Sequence, residues 1–84
     1  MSTVLVVEDS VAQREMIIDL LKGNGLKVTV ASDGVEALAY IQGDLPDLVV
    51  LDIVMPRMNG YEVCRRIKSD PATQNLPVVL CSSK

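Results

Sequence analysis

The chain has 84 residues, enough for one small domain with a modest core. Its net charge of −3 and pI near 4.7 count against direct nucleic-acid binding by this segment, because phosphate recognition needs a basic face. With no histidine, imidazole general-base catalysis and imidazole metal ligation are excluded within the chain. No apolar run approaches membrane-spanning length, and Met1-Ser2-Thr3 lacks the basic start of a secretory leader. Cys64 and Cys81 show no metal or redox spacing and read as two reduced thiols of a cytoplasmic protein.

Residues 3–7, Thr-Val-Leu-Val-Val, form the first predicted strand, and it ends at Glu8-Asp9. Ser10 fits a helix N-cap, with Gln13 placed to complete a capping box. The helix is predicted to run to about Lys22, with Met16, Ile17, Leu20 and Leu21 as its apolar stripe and Gly23 as the C′ residue. Residues 26–30 alternate apolar and polar, which predicts a strand at a sheet edge. Asp33 and Glu36 make a second capping pair, opening a helix through about Ile41 that turns Ala37, Leu38 and Ile41 inward and stops at Gly43.

Residues 48–52, Leu-Val-Val-Leu-Asp, are the stretch around which the rest is organised. A short continuous apolar run predicts a strand buried on both faces, as in a parallel sheet. An unpaired carboxylate inside such a strand is costly, so Asp52 belongs at its C-terminal end, the edge where open parallel sheets bind ligands. Taken alone, Asp52 is equally a residue that caps a turn. Asn59 and Glu62 give a third capping pair for a helix that carries Val63, Cys64 and Ile67 inward and Arg65, Arg66 and Lys68 outward, on a solvated face or, as the alternative, a partner surface. A polar loop over 70–75 leads to residues 77–81, Pro-Val-Val-Leu-Cys, a fourth buried-type strand delivering Ser82 and Ser83 to its end. The order β-α-β-α-β-α-β implies a parallel sheet with right-handed crossovers.

Three strands thus deliver Glu8 and Asp9, Asp52, and Ser82 to one edge. Three carboxylates in one place repel unless neutralised. A hard divalent cation with oxygen ligands answers this, and Mg²⁺ suits a few carboxylates with retained water. Such a centre suits phosphoryl transfer. Separately, Glu8-Asp9 could serve only to stabilise a helix N-terminus and Ser82 could be a plain turn residue; it is their joint placement that points to a site.

The chain resembles the receiver domains of two-component response regulators, the CheY-like family. The resemblance rests on Val-Val-Glu-Asp-Ser at 6–10, Leu-Asp-Ile-Val-Met-Pro-Arg-Met-Asn-Gly at 51–60 and Pro-Val-Val-Leu-Cys-Ser at 77–82. It implies an α/β doubly wound parallel sheet of flavodoxin/CheY-like type, with strand order 2-1-3-4. It implies that Asp52 is the phosphoacceptor for a sensor histidine kinase or phosphotransfer protein in a phosphorelay. Asp9 and Asp52 would be direct Mg²⁺ ligands, with the Val54 backbone carbonyl, and Glu8 would act through the metal's water shell. Ser82 would be the hydroxyl that moves toward the phosphoryl group. The product is the modified chain itself, so turnover of a separate substrate is not expected.

Receivers continue after the fourth strand with a helix, a fifth strand ending in Lys-Pro and a last helix, so this chain of residues 1–84 reads as a partial, truncated receiver. Lys84 does not match the missing lysine. Impaired phosphorylation is therefore expected, and a second reading is a receiver-derived fragment that acts only in interaction and assembly. A homodimer or larger assembly through the fourth-strand edge is expected, because that strand is apolar and lacks protecting charges. An aspartate-nucleophile phosphatase of the haloacid dehalogenase type would want a second Asp where Val54 stands, and Gly23-Asn24-Gly25 follows a helix and lacks the third glycine of a dinucleotide site.

Overall fold

The computed structural model describes residues 2–55 and 57–81. Strand β1 (Thr3–Val7), helix α1 (Val11–Gly23), β2 (Lys27–Ala31), α2 (Gly34–Gly43), β3 (Leu48–Asp52), α3 (Gly60–Ser69) and β4 (Val78–Cys81) follow one another along the chain. The strands form one parallel sheet in the order β2-β1-β3-β4. This is the α/β doubly wound, flavodoxin/CheY-like arrangement that the resemblance implied.

Each helix begins where its cap predicts. Ser10, Asp33 and Asn59 have extended backbones, and their side chains accept the N–H of Gln13, Glu36 and Glu62 respectively, which satisfies one of the orphan donors of each first turn. The Ser10 N–H donates to Glu8 Oε2 at 3.1 Å, so the contact expected from Gln13 is taken by a residue upstream of the helix. Helix α1 also ends differently from expectation. Gly23 is still helical and Asn24 is the C-cap. Gly25, at φ 78°, supplies the left-handed turn, the role expected of Gly23. Strand β2 lies one residue beyond its predicted bounds, and Pro77 precedes β4 rather than opening it, although its carbonyl still accepts the Val49 N–H at 3.0 Å.

The core lies on one face of the sheet. Leu5, Val7, Val49 and Leu51 point to it, and Ala37, Ile41, Val63 and Ile67 come down from α2 and α3. The side chain of Thr73 is also buried in the α3–β4 turn, and its hydroxyl donates to Ile67 O at 2.6 Å. Lys68, expected on a solvated face, donates Nζ to the carbonyls of Gln74 and Leu76, tying the end of α3 to the approach to β4. Arg65 and Arg66 both pair with Glu62 on the helix surface.

The opposite face carries α1, which packs on β1 and β2. Val4 and Val6 are fully buried there. Helix α1 itself contributes no buried residue. Met16 and Leu20, predicted to face inward, are 69% and 67% exposed; among the described residues the main contacts of α1 are with β1 and β2, and one flat sheet surface meets only part of a helix's apolar side. Strand β4, read as a buried type, pairs only with β3 among the described residues, and Val79 is half exposed.

Candidate functional site

The register of the central strands assembles the site. Val7 of β1 is level with Leu51 of β3, so the residues that follow, Glu8 and Asp52, leave the sheet side by side. Glu8 and Asp52 are both almost fully buried, whereas Asp9 is exposed. One carboxylate oxygen from each of the three lies within 4.8 Å of the others. The structure therefore brings together the three carboxylates that the sequence analysis placed at one edge.

Each carboxylate is held by its local fold. The Glu8 N–H donates to Ala31 O at 3.1 Å, continuing the β1–β2 ladder one residue past the end of β1. Arg14 Nη1, one turn into α1, donates to the Glu8 carbonyl at 3.1 Å. Burial pushes the Glu8 carboxyl up to about 7, and the nearby Asp52 carboxyl adds to the rise against the lowering effect of the Ser10 N–H. The acid is thus held near the midpoint of its titration at neutral pH, and a cation placed among these oxygens would favour its ionised form.

Asp52 Oδ1 accepts the Val54 N–H at 3.3 Å. The Ile53 N–H continues the pairing to Cys81 O at 2.9 Å, and the Gly60 N–H returns to Ile53 O at 2.9 Å. A Cβ on Gly60 would collide with the Asp52 carbonyl and the Ile53 Cα, so only glycine lets α3 start this close to the end of β3. Cys81 sits level with Asp52 across the β3–β4 ladder. Its thiol, contacting Leu51 O at 3.6 Å, is pushed up by burial and by the charges of Asp52 and Glu8.

Ser82 and Lys84 lie outside the described residues. Val54 follows Asp52 at the start of the loop, with its side chain exposed. Sequence reasoning missed two contacts around the site. One is the Arg14 bond, whose signal was an arginine one turn into a helix that begins beside the acidic pair. The other is an ion pair of 2.9 Å between Arg57 Nη1 and Asp33 Oδ2, which joins the β3–α3 loop to the cap of α2 and has no local sequence signature.

A doubly wound parallel sheet that gathers a glutamate and two aspartates at the carboxyl ends of its first and third strands defines a class of acidic-pocket α/β domains. The chain belongs to the response regulator receiver domain family, whose profile matches residues 4–84. Phosphoryl acceptance within two-component signalling is the general function of such domains. The response regulator PleD of Caulobacter vibrioides is 42% identical over 80 residues, which are 95% of this chain and 18% of that protein. The N-terminal domain of a response regulator receiver protein from Methanoculleus marisnigri superimposes with a TM-score of 0.94 at 39% identity, covering 100% of this chain and 68% of that one. The Mn²⁺-bound form of the response regulator Rcp1 superimposes with a TM-score of 0.91 at 29% identity, over 100% of this chain and 67% of that one. The chain thus spans under a fifth of the curated relative and about two thirds of the solved ones. Among the described residues no helix is long and apolar enough to cross a membrane.

Proposed function

We propose that this chain is cytoplasmic and that its Asp52 accepts a phosphoryl group from a phosphohistidine of a sensor histidine kinase or phosphotransfer protein. The observation that carries this reading is the cluster of Glu8, Asp9 and Asp52 oxygens within 4.8 Å at the ligand-binding edge of the sheet. Hard carboxylate oxygens, one of them exposed, fit Mg²⁺, which keeps part of its water shell. Asp9, Asp52 and the Val54 carbonyl would hold the ion, with Glu8 acting through its water. When bound, the ion neutralises the carboxylates and the oxygens of the incoming phosphoryl group. The metal-bound relative Rcp1 supports a divalent site of this kind.

The chain's own chemistry is a displacement at phosphorus. An Asp52 oxygen forms the new O–P bond, and the P–N bond to the donor imidazole breaks with its electron pair staying on nitrogen. A carboxylate nucleophile needs no general base, which suits a chain without histidine. Glu8 and Asp9 flank the acceptor, and the Ser82 hydroxyl donates to a phosphoryl oxygen and couples it to the output surface. The product is an acyl phosphate on the chain, and no separate substrate is turned over. Incubation with Mg²⁺ and a small acyl phosphate should add the mass of one phosphoryl group, lost at alkaline pH and absent in Asp52→Asn. The yield of the 84-residue chain alone should be low, because it holds no lysine in the family's phosphoryl-binding position. Modification that persists in Asp52→Asn would refute the assignment.

A second reading, assembly through β4, is favoured by that strand's open edge. No strand pairs with its outer side among the described residues, Val79 is half exposed, and residues 78–81 carry no charge to discourage pairing. Antiparallel pairing of two β4 strands across a two-fold axis would close the edge. Sedimentation across a range of concentrations should then show a dimer, and a compact monomer at every concentration would exclude it.

A further inference from the structure

The loop from β3 to α3 is fastened at both ends. At its base the Val54 N–H donates to Asp52 Oδ1 and the Gly60 N–H to Ile53 O. At its far end Arg57 reaches across to α2, where Nη1 meets Asp33 Oδ2 at 2.9 Å. Asp33 is itself fixed, because its other oxygen accepts the Glu36 N–H at 2.8 Å as the cap of α2. Its side chain is 17% exposed against 74% for Arg57, so the aspartate is the anchor and the arginine the strap. Next to it Met58 packs on the first turn of α2: its Sδ and Cβ lie 3.2 and 3.3 Å from the place a Gly34 Cβ would take. Arg57 has φ 69°, the one positive φ among the described non-glycine residues. Arginine does not favour that conformation; here it aims the side chain back at α2.

We propose that Arg57 is a positioning residue: its ion pair with Asp33 hangs the β3–α3 loop from α2 and thereby holds Val54 in place beside Asp52. Toward Mg²⁺ this rests on the function proposed above; the tether itself does not. An exposed ion pair adds little to global stability, so its effect is local to the loop it fastens.

The sign of one substitution separates positioning from simple electrostatics. Arg57→Asn removes a cation from the loop that follows Asp52, and with one positive charge fewer on the chain, through-space electrostatics alone would then tighten Mg²⁺ binding. If the strap positions the loop, the same change weakens binding. Asparagine also tolerates the left-handed backbone, so the variant deletes the ion pair and keeps the turn. Asp33→Asn keeps an oxygen for the α2 cap and deletes the same pair.

Amide hydrogen exchange of the metal-free chain, read by NMR, should be about two- to five-fold faster at Val54 in both variants, the range an exposed pair is worth. The double variant should be no faster than either single one, because both remove one interaction. Arg57→Lys should stay near the wild-type rate. In Mg²⁺ titrations the Kd of Arg57→Asn should rise by a similar factor. Unchanged Val54 exchange in Arg57→Asn overturns the tether. Faster exchange with unchanged or tighter Mg²⁺ binding overturns the positioning role. A wild-type chain that binds no Mg²⁺ removes the metal reading, and the exchange rates then decide the tether by themselves.

Discussion

The two faces of the sheet are built to different standards. Under α2 and α3, Leu5, Val7, Val49 and Leu51 meet Ala37, Ile41, Val63 and Ile67 in one continuous buried cluster. Under α1, Val4 and Val6 are buried, but the helix covering them buries none of its own residues and leaves Met16 and Leu20 in solvent. The first face is a core; the second is a cover. The site depends on the first, since β3 and the start of α3, which present and support Asp52, are both fastened there.

Substitutions should expose this difference. Ile67→Ala removes a fully buried side chain from the core face, and chemical denaturation should show a loss of about 2–5 kcal/mol. The next effect in size comes from Glu8, between the faces at the sheet's edge. Its folded carboxyl is raised to about 7 by burial, so between the unfolded value and that pH the folded chain binds more protons than the unfolded one. Its contribution to stability is therefore complete at about pH 4 and is lost as the pH rises through 7. Without added metal, the chain should melt at a lower temperature at pH 8 than at pH 5, and Glu8→Gln should flatten that part of the profile. A profile unchanged in Glu8→Gln would assign the slope to other groups. The smallest effect is expected on the cover. Leu20→Ala should change stability by no more than about 0.5 kcal/mol, and a loss as large as that of Ile67→Ala would mean that α1 is buried in solution by something else.

The same contrast marks what could be read from sequence. Caps at Ser10, Asp33 and Asn59 were legible because each contact spans three residues and uses a side chain suited to it. The carboxylate cluster was legible because parallel strands of similar length must end together, and the observed register keeps Glu8 and Asp52 level. The inward stripe of α1 was misread at Met16 and Leu20. Periodicity gives a helix an apolar side but does not say how much neighbouring surface is there to meet it. The Arg57–Asp33 pair joins residues 24 positions apart; its aspartate was recognised as a cap, and nothing local assigned it a second partner. The raised carboxyl of Glu8 depends on depth within the fold, which a strand-end position leaves open.

Gly60 carries a mechanical consequence. Its bare Cα rests on the Asp52 carbonyl and the Ile53 Cα, with no space for even a methyl group. At that point α3 bears directly on the backbone that presents Asp52, without a deformable side chain between them. Close-packed contacts of this kind transmit strain rather than absorb it. The seat therefore acts as a stiff hinge pin: a displacement of the backbone at Asp52 cannot be taken up there, and must reappear at the first turn of the helix.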